Sequence, residues 1–238
     1  MPLYYGYGYG YGAMFDPLYL VVVIVSLVLG LAAQAYINRA YRTWSKVSSD
    51  GCSGEDVARR MLEANGCGAV GIRRVNGHLT DHYDPRDNNL YLSSENMLGG
   101  SVASVAVACH EAGHAVQRAR GFSMFKMRQA LVPVVNFTQS IWMIVLLLGI
   151  FMNMAGLTTI AIALFAFSVV FQLVTLPVEF DASRRAVAYI QESGMSAQQV
   201  EGARKVLTAA ALTYVAAALT SILQLLYLLA RTQRSQND

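Results

Sequence analysis

Apolar residues dominate three runs that carry no charged side chain, at 17–38, 129–178 and 206–230, and the charged residues are gathered between them. A helix crosses the hydrocarbon core of a bilayer in about 20 residues. The first run (PLYLVVVIVSLVLGLAAQAYIN) therefore predicts one transmembrane helix. The second is long enough for two, folded back near Asn153-Met154-Ala155-Gly156, where Asn and Gly interrupt the apolar pattern. The third is richer in Ala and Thr and predicts a fourth helix. Helices buried in a soluble core rarely run so far without charge.

Between the runs the pattern changes period. Residues 69–75 and 78–84 are strand-like around Asn76-Gly77, a turn dipeptide that predicts a hairpin, and NLYLS at 89–93 predicts a third short strand. Residues 101–120 (SVASVAVACHEAGHAVQRAR) have helical character, with Ser101 placed to cap and Gly121 to stop the helix. Ser53-Gly54-Glu55-Asp56 opens another helix, closed by Gly66, and Ser196 with Gln199 opens one that can run on into the last apolar run. The expected fold is mainly α: a polytopic membrane protein with about four transmembrane helices and a small α+β cytoplasmic module. Its expected parts are a flexible Tyr/Gly-rich start at 1–16, a first span at 17–38 and a soluble module at 39–128. A transmembrane hairpin at 129–178, cytoplasmic helices at 179–205, a last span at 206–230 and a tail at 231–238 complete it.

Composition agrees with this division. The chain of 238 residues is 55% hydrophobic and 14% charged, against about a quarter charged in soluble domains. The formal charge of +3 is too small, and its basic residues too scattered, to imply nucleic acid as a partner. Residues 1–38 and the Asn153 turn contain no Lys or Arg, whereas Arg39, Arg42, Lys46, Arg59, Arg60, Arg73, Arg74, Arg118, Arg120, Lys126 and Arg128 crowd the segment after the first span. That asymmetry predicts a cytoplasmic module. Arg184, Arg185, Arg204 and Lys205 place the connection between spans three and four on the same side, while Arg231 and Arg234 dissent. Ala33-Gln34-Ala35 resembles a signal-peptide cleavage site, but the missing basic residues ahead of it favour an uncleaved anchor. Cys52, Cys67 and Cys109 are odd in number, lack CxxC spacing and read as reduced thiols.

Candidate chemistry is concentrated at His110-Glu111-Ala112-Gly113-His114. Two histidines at i and i+4 share one face of a helix, so both imidazoles can reach a single Zn²⁺, and the glutamate between them can take a proton from a water on that metal. A catalytic zinc site needs three protein ligands. Gln117 and Arg120 stand where an extended metzincin motif would place Gly and His, so the third ligand lies elsewhere. Candidates are His78 and His82 upstream, and Glu179 and Asp181 downstream. Glu179 is favoured because the charge-free hairpin at 129–178 returns the chain to the side it left after the histidine helix; its alternative role is an interfacial acid balancing Arg184 and Arg185. His78, Thr80 and His82 alternate onto one strand face. His82 or Tyr83 is a candidate to steady an oxyanion, a polar strand face being the simpler reading.

The motifs HEAGH at 110–114, LTDHYDPR at 79–86 and LPVEFDASRRA at 176–186 together resemble the YugP-type membrane zinc metallopeptidases of bacteria, over nearly the whole chain, including the Tyr-Gly start and ALTYVAAAL from Ala211. That family is similar to the HtpX and CAAX prenyl protease group. The resemblance implies a bacterial plasma-membrane protease with an active site facing the cytoplasm, zinc held by His110, His114 and Glu179, and Glu111 as general base. Its partners would be a peptide or membrane-protein substrate and the lipid bilayer. The HtpX-like pattern carries an Asp four residues after the ligand glutamate; this chain has Ser183 there, which leaves open what supports the site, with Asp181 the nearest acid. Two other readings remain: a non-catalytic zinc-binding scaffold, which has no need of Glu111, and a transporter, which charge-free spans disfavour.

Overall fold

A computed structural model describes residues 16–78 and 80–237; the Tyr/Gly repeat expected to be flexible lies outside them. Seven helices and three short strands follow one another as α1 (Pro17–Trp44), α2 (Gly54–Ala64), β1 (Gly71–Val75), β2 (His82–Asp84), β3 (Asn89–Ser93), α3 (Ser94–Leu98), α4 (Val102–Ala119), α5 (Ser123–Phe151), α6 (Ala155–Glu192) and α7 (Ala197–Asn237). Four of them, α1, α5, α6 and α7, are long and apolar enough to cross a membrane.

The chain divides into two compact units, of which the larger comprises residues 32–129 and 174–215. Its core is built around α4, where every residue from Val102 to Gln117 except Val107 and His110 is buried. Ser101 caps this helix by accepting from the Ser104 N–H, and Gly121, at φ 67°, turns the chain away after it. Val57, Met61 and Leu62 of α2, Leu90 and Leu92 of β3, Val178, Ala186 and Ile190 of α6, and Val206 and Leu207 of α7 complete one hydrophobic cluster with it. The caps of α2 and α7 are reciprocal. Ser53 pairs with Asp56, and Ser196 with Gln199, so each side chain takes a free N–H at the other residue.

The sheet corrects one expectation. Its order is β1-β3-β2, with β3 parallel to β1 and antiparallel to β2, so no hairpin forms across Asn76-Gly77. The strand with the most buried side chains takes the centre: Leu90 and Leu92 are fully buried and Asn89 and Ser93 nearly so. The tight reversal lies instead between β2 and β3, where Asn88 adopts φ 59°. β2 is thereby an edge strand.

The smaller unit comprises residues 16–31, 130–173 and 216–237 of the described chain. Asn153, at φ 52°, reverses the chain between α5 and α6, and a Cβ on Gly149 would come 2.8 Å from the Thr158 backbone nitrogen, so these helices approach closely there. Trp142 packs on Phe165 at 4.7 Å between ring centroids. Leu18, Val21, Ile24, Phe137, Ile144 and Leu226 point outward, as suits a lipid-facing surface. The Tyr227 hydroxyl donates to Asp16 and accepts from Arg231, so the arginine that dissented from the charge pattern is tied to an acid. The helices also run through the expected boundaries at 38, 178, 205 and 230, because the apolar segments continue as helix into their charged flanks.

Candidate metal centre

The centre is assembled from α4 and α6. His110 and His114 lie one turn apart on α4, with ring centroids 4.8 Å apart and planes at 84°. Glu179 follows Pro177 on α6 and is 2% exposed. One oxygen of its carboxylate, Oε2, stands 3.2 Å from His110 Nε2 and 3.7 Å from His114 Nε2. Ligand atoms of the three residues all lie within 4.8 Å of one another. Tetrahedral ligands held about 2.0–2.1 Å from zinc are about 3.3 Å apart, so the donor set fits that ion in type and spacing.

The glutamate arrives there because of what flanks the hairpin. Arg128 is the last residue before the charge-free run at 129–178 and Glu179 the first after it; they pair at 3.2 Å between Nη1 and Oε1. This contact occupies the carboxylate oxygen that does not face the histidines. Gly113 sets the spacing between helices, since a Cβ at that position would come 2.8 Å from the Ala182 carbonyl oxygen. A motif position that tolerates any residue on an isolated helix is here a point of backbone contact.

Hydrogen bonds around the site decide which ring nitrogens are free. Gln117, fully buried, donates from Nε2 to the Val178 carbonyl at 2.7 Å and to Asp181 Oδ2 at 3.0 Å. Both amide protons are thus used, and its Oε1 must accept from His114 Nδ1, 3.0 Å away. His114 therefore donates from Nδ1, which leaves Nε2 as the nitrogen directed toward Glu179, 3.7 Å away. A ring held in this way by the nitrogen remote from the ligand position is the usual arrangement of a metal-binding histidine. Ser183 Oγ stands 3.1 Å from His110 Nδ1 and orients that ring; as a hydroxyl it can serve as donor or acceptor there.

Glu111 is buried, and its Oε2 accepts from the Tyr83 backbone N–H at 3.1 Å. Burial pushes its carboxyl up to about 7, with His110 and Glu179 among the charges acting on it. The Tyr83 amide points outward from β2, so the edge strand and the glutamate face one another.

Other candidates lie apart. His78 pairs with Glu95 at 2.9 Å, and His82 bonds the Thr80 carbonyl and stacks on Tyr91. The Tyr83 hydroxyl is engaged with Asn88 and Arg118. Asp181 takes the role considered for Glu179 by pairing with Arg184 and Arg185. Cys109 is fully buried, its thiol pushed up to about 12 by burial, and stands outside the three-residue group. Gln117, Gly113 and Arg128 had no assigned part in the sequence reading. The only signal for Gln117 was its position three residues after His114, one turn along the same face.

A family model described as "Putative neutral zinc metallopeptidase" matches residues 19–233. The chain is 41% identical over 211 residues to the "Putative membrane protease YugP" of Bacillus subtilis (strain 168), an alignment covering 88% of this chain and 94% of that protein. No solved structure matches it.

Proposed function

The chain belongs to the neutral zinc metallopeptidase family, and from that premise we propose that it is a membrane-embedded, zinc-dependent endopeptidase that hydrolyses peptide bonds of membrane or membrane-near proteins. The observation that carries this reading is the convergence of His110, His114 and Glu179 next to a buried glutamate that is not itself a ligand. A purely structural zinc site is closed by four ligands and has no use for a base beside it.

His110, His114 and Glu179 would hold zinc, which when bound polarises the scissile carbonyl and lowers the pKa of a water bound beside it. Glu111 takes one proton from the attacking water and returns it to the departing amine nitrogen, so the glutamate ends unchanged. Gln117 and Ser183 orient the imidazoles through Nδ1, so that both rings direct Nε2 toward Glu179. The edge position of β2 beside Glu111 supports docking of the substrate as an added strand, which would take over the Tyr83 backbone and bring the scissile bond next to Glu111. The charge asymmetry of the chain supports a centre facing the cytoplasm, as part of a small zincin-like module, and the Bacillus subtilis relative supports a bacterial plasma-membrane location.

Glu111→Gln preserves size and removes the base. Comparative proteomics of cells carrying either form should reveal fragments that vanish with the variant, while metal analysis of the two purified proteins finds equal zinc. Identical fragment patterns with equal zinc would favour the non-catalytic scaffold instead.

A further inference from the structure

On the face of α6 turned away from α4, a groove of about 370 Å³ runs between α6 and α7. Its volume falls in the usual range for a small-molecule site, roughly 300–1,000 Å³. The two helices are joined by residues 193–196 and run antiparallel, so their levels can be matched by counting from that connection. Arg184 lies eight residues in from Glu192 and Arg204 seven in from Ala197, which places the two guanidinium-bearing residues at one level, within about 1.5 Å along the axis. Phe180 and Leu212, 48% and 42% exposed, lie about 6–12 Å further along, toward the charge-free stretches of both helices. The arginines therefore sit about midway along the groove, with Val187, Ala188 and Gln191 lining it from there to the connection and Phe180 and Leu212 lining it on the side toward the charge-free runs.

Charge at the level of the two arginines is not neutralised by its neighbours. Asp181 is shared between Arg184 and Arg185, and Glu201 between Arg204 and Lys205, at 3.9 and 3.6 Å for the second pair. Four cations thus share two carboxylates. Leu207 lies between Arg204 and Leu212 along this wall. An occupant of the half that runs from the arginines toward the charge-free stretches carries an anionic group at the arginine level and an apolar chain beyond it, aligned with the direction in which the helices themselves become apolar.

We propose that this groove binds one anionic phospholipid of the surrounding bilayer, with its phosphate between Arg184 and Arg204 and an acyl chain along Phe180 and Leu212. Basic pockets between membrane helices on the positively charged side have the chemistry for such headgroups. The proposal does not depend on catalysis, because none of these residues belongs to the metal centre apart from Ser183, which borders both.

Native mass spectrometry of the full chain, released from nanodiscs of mixed phosphatidylglycerol and phosphatidylcholine, tests it. One phosphatidylglycerol should be retained per chain. The double variant Arg184→Gln, Arg204→Gln should lower retention roughly tenfold or more. Thr208→Trp, which fills the groove and keeps both arginines, should expel the lipid too. Arg39→Gln with Arg42→Gln, two basic residues on α1 outside the groove, should leave it bound, and excess inorganic phosphate should not displace it. Equal retention of both lipids, an unchanged level in the groove variants, equal loss from the α1 variant, or displacement by phosphate alone would overturn the proposal.

Discussion

The chain contains two pairs of histidines with the same four-residue spacing, His78 with His82 and His110 with His114. On a helix that spacing amounts to a rise of about 6 Å and one shared face. The helical pair has rings 4.8 Å apart and converges with Glu179. His78 lies in a bend ahead of β2 and His82 opens that strand, and the two diverge, one ring going to Glu95 and the other to Thr80 and Tyr91. Spacing becomes chemistry only through the backbone that carries it. Burial separates the pairs further, for the helical one sits where Gln117 and Ser183 hold each ring, while His78 and His82 are exposed.

The strongest way to break this contrast is to remove ligands. His110→Ala, His114→Ala or Glu179→Ala should each lower zinc affinity by on the order of several hundredfold, read as metal content after dialysis against a weak chelator. A smaller effect separates positioning from ligation. Gln117→Leu keeps the volume of the side chain but frees the His114 tautomer, and should weaken zinc by about 10–100-fold, with Gln117→Glu, which retains an acceptor, closer to the parent. At the other extreme, His78→Ala and His82→Ala should leave zinc affinity within about twofold. A large loss in either would mean that the upstream pair takes part in the site after all.

What could be read from the residues follows the same division between local and distant causes. The histidine helix was readable because its period, its Ser101 cap and its terminal Gly121 are all local. Glu179 was readable for a different reason: a charge-free run must return to the side it left, and the two residues bounding that run, Arg128 and Glu179, do meet. The sheet was misread because Asn76-Gly77 has strong local turn character, whereas strand order is decided by which strand must be covered on both sides. Leu90 and Leu92 win the central place through burial against distant elements. Gln117 and Gly113 escaped notice because their roles depend on the α6 backbone at Val178 and Ala182, sixty-one and sixty-nine positions away. Ser183 was seen only as a departure from a family pattern; its hydroxyl turns out to reach His110, while Asp181 acts on His114 through Gln117.

X-ray absorption at the zinc edge of the purified full chain addresses the central claim directly. One zinc per chain should show nitrogen and oxygen neighbours at about 2.0–2.2 Å, with two imidazole signatures that fall to one in His114→Ala. A sulfur neighbour at about 2.3 Å would bring in a cysteine and contradict the three-residue centre, as would a spectrum unaltered by loss of His114.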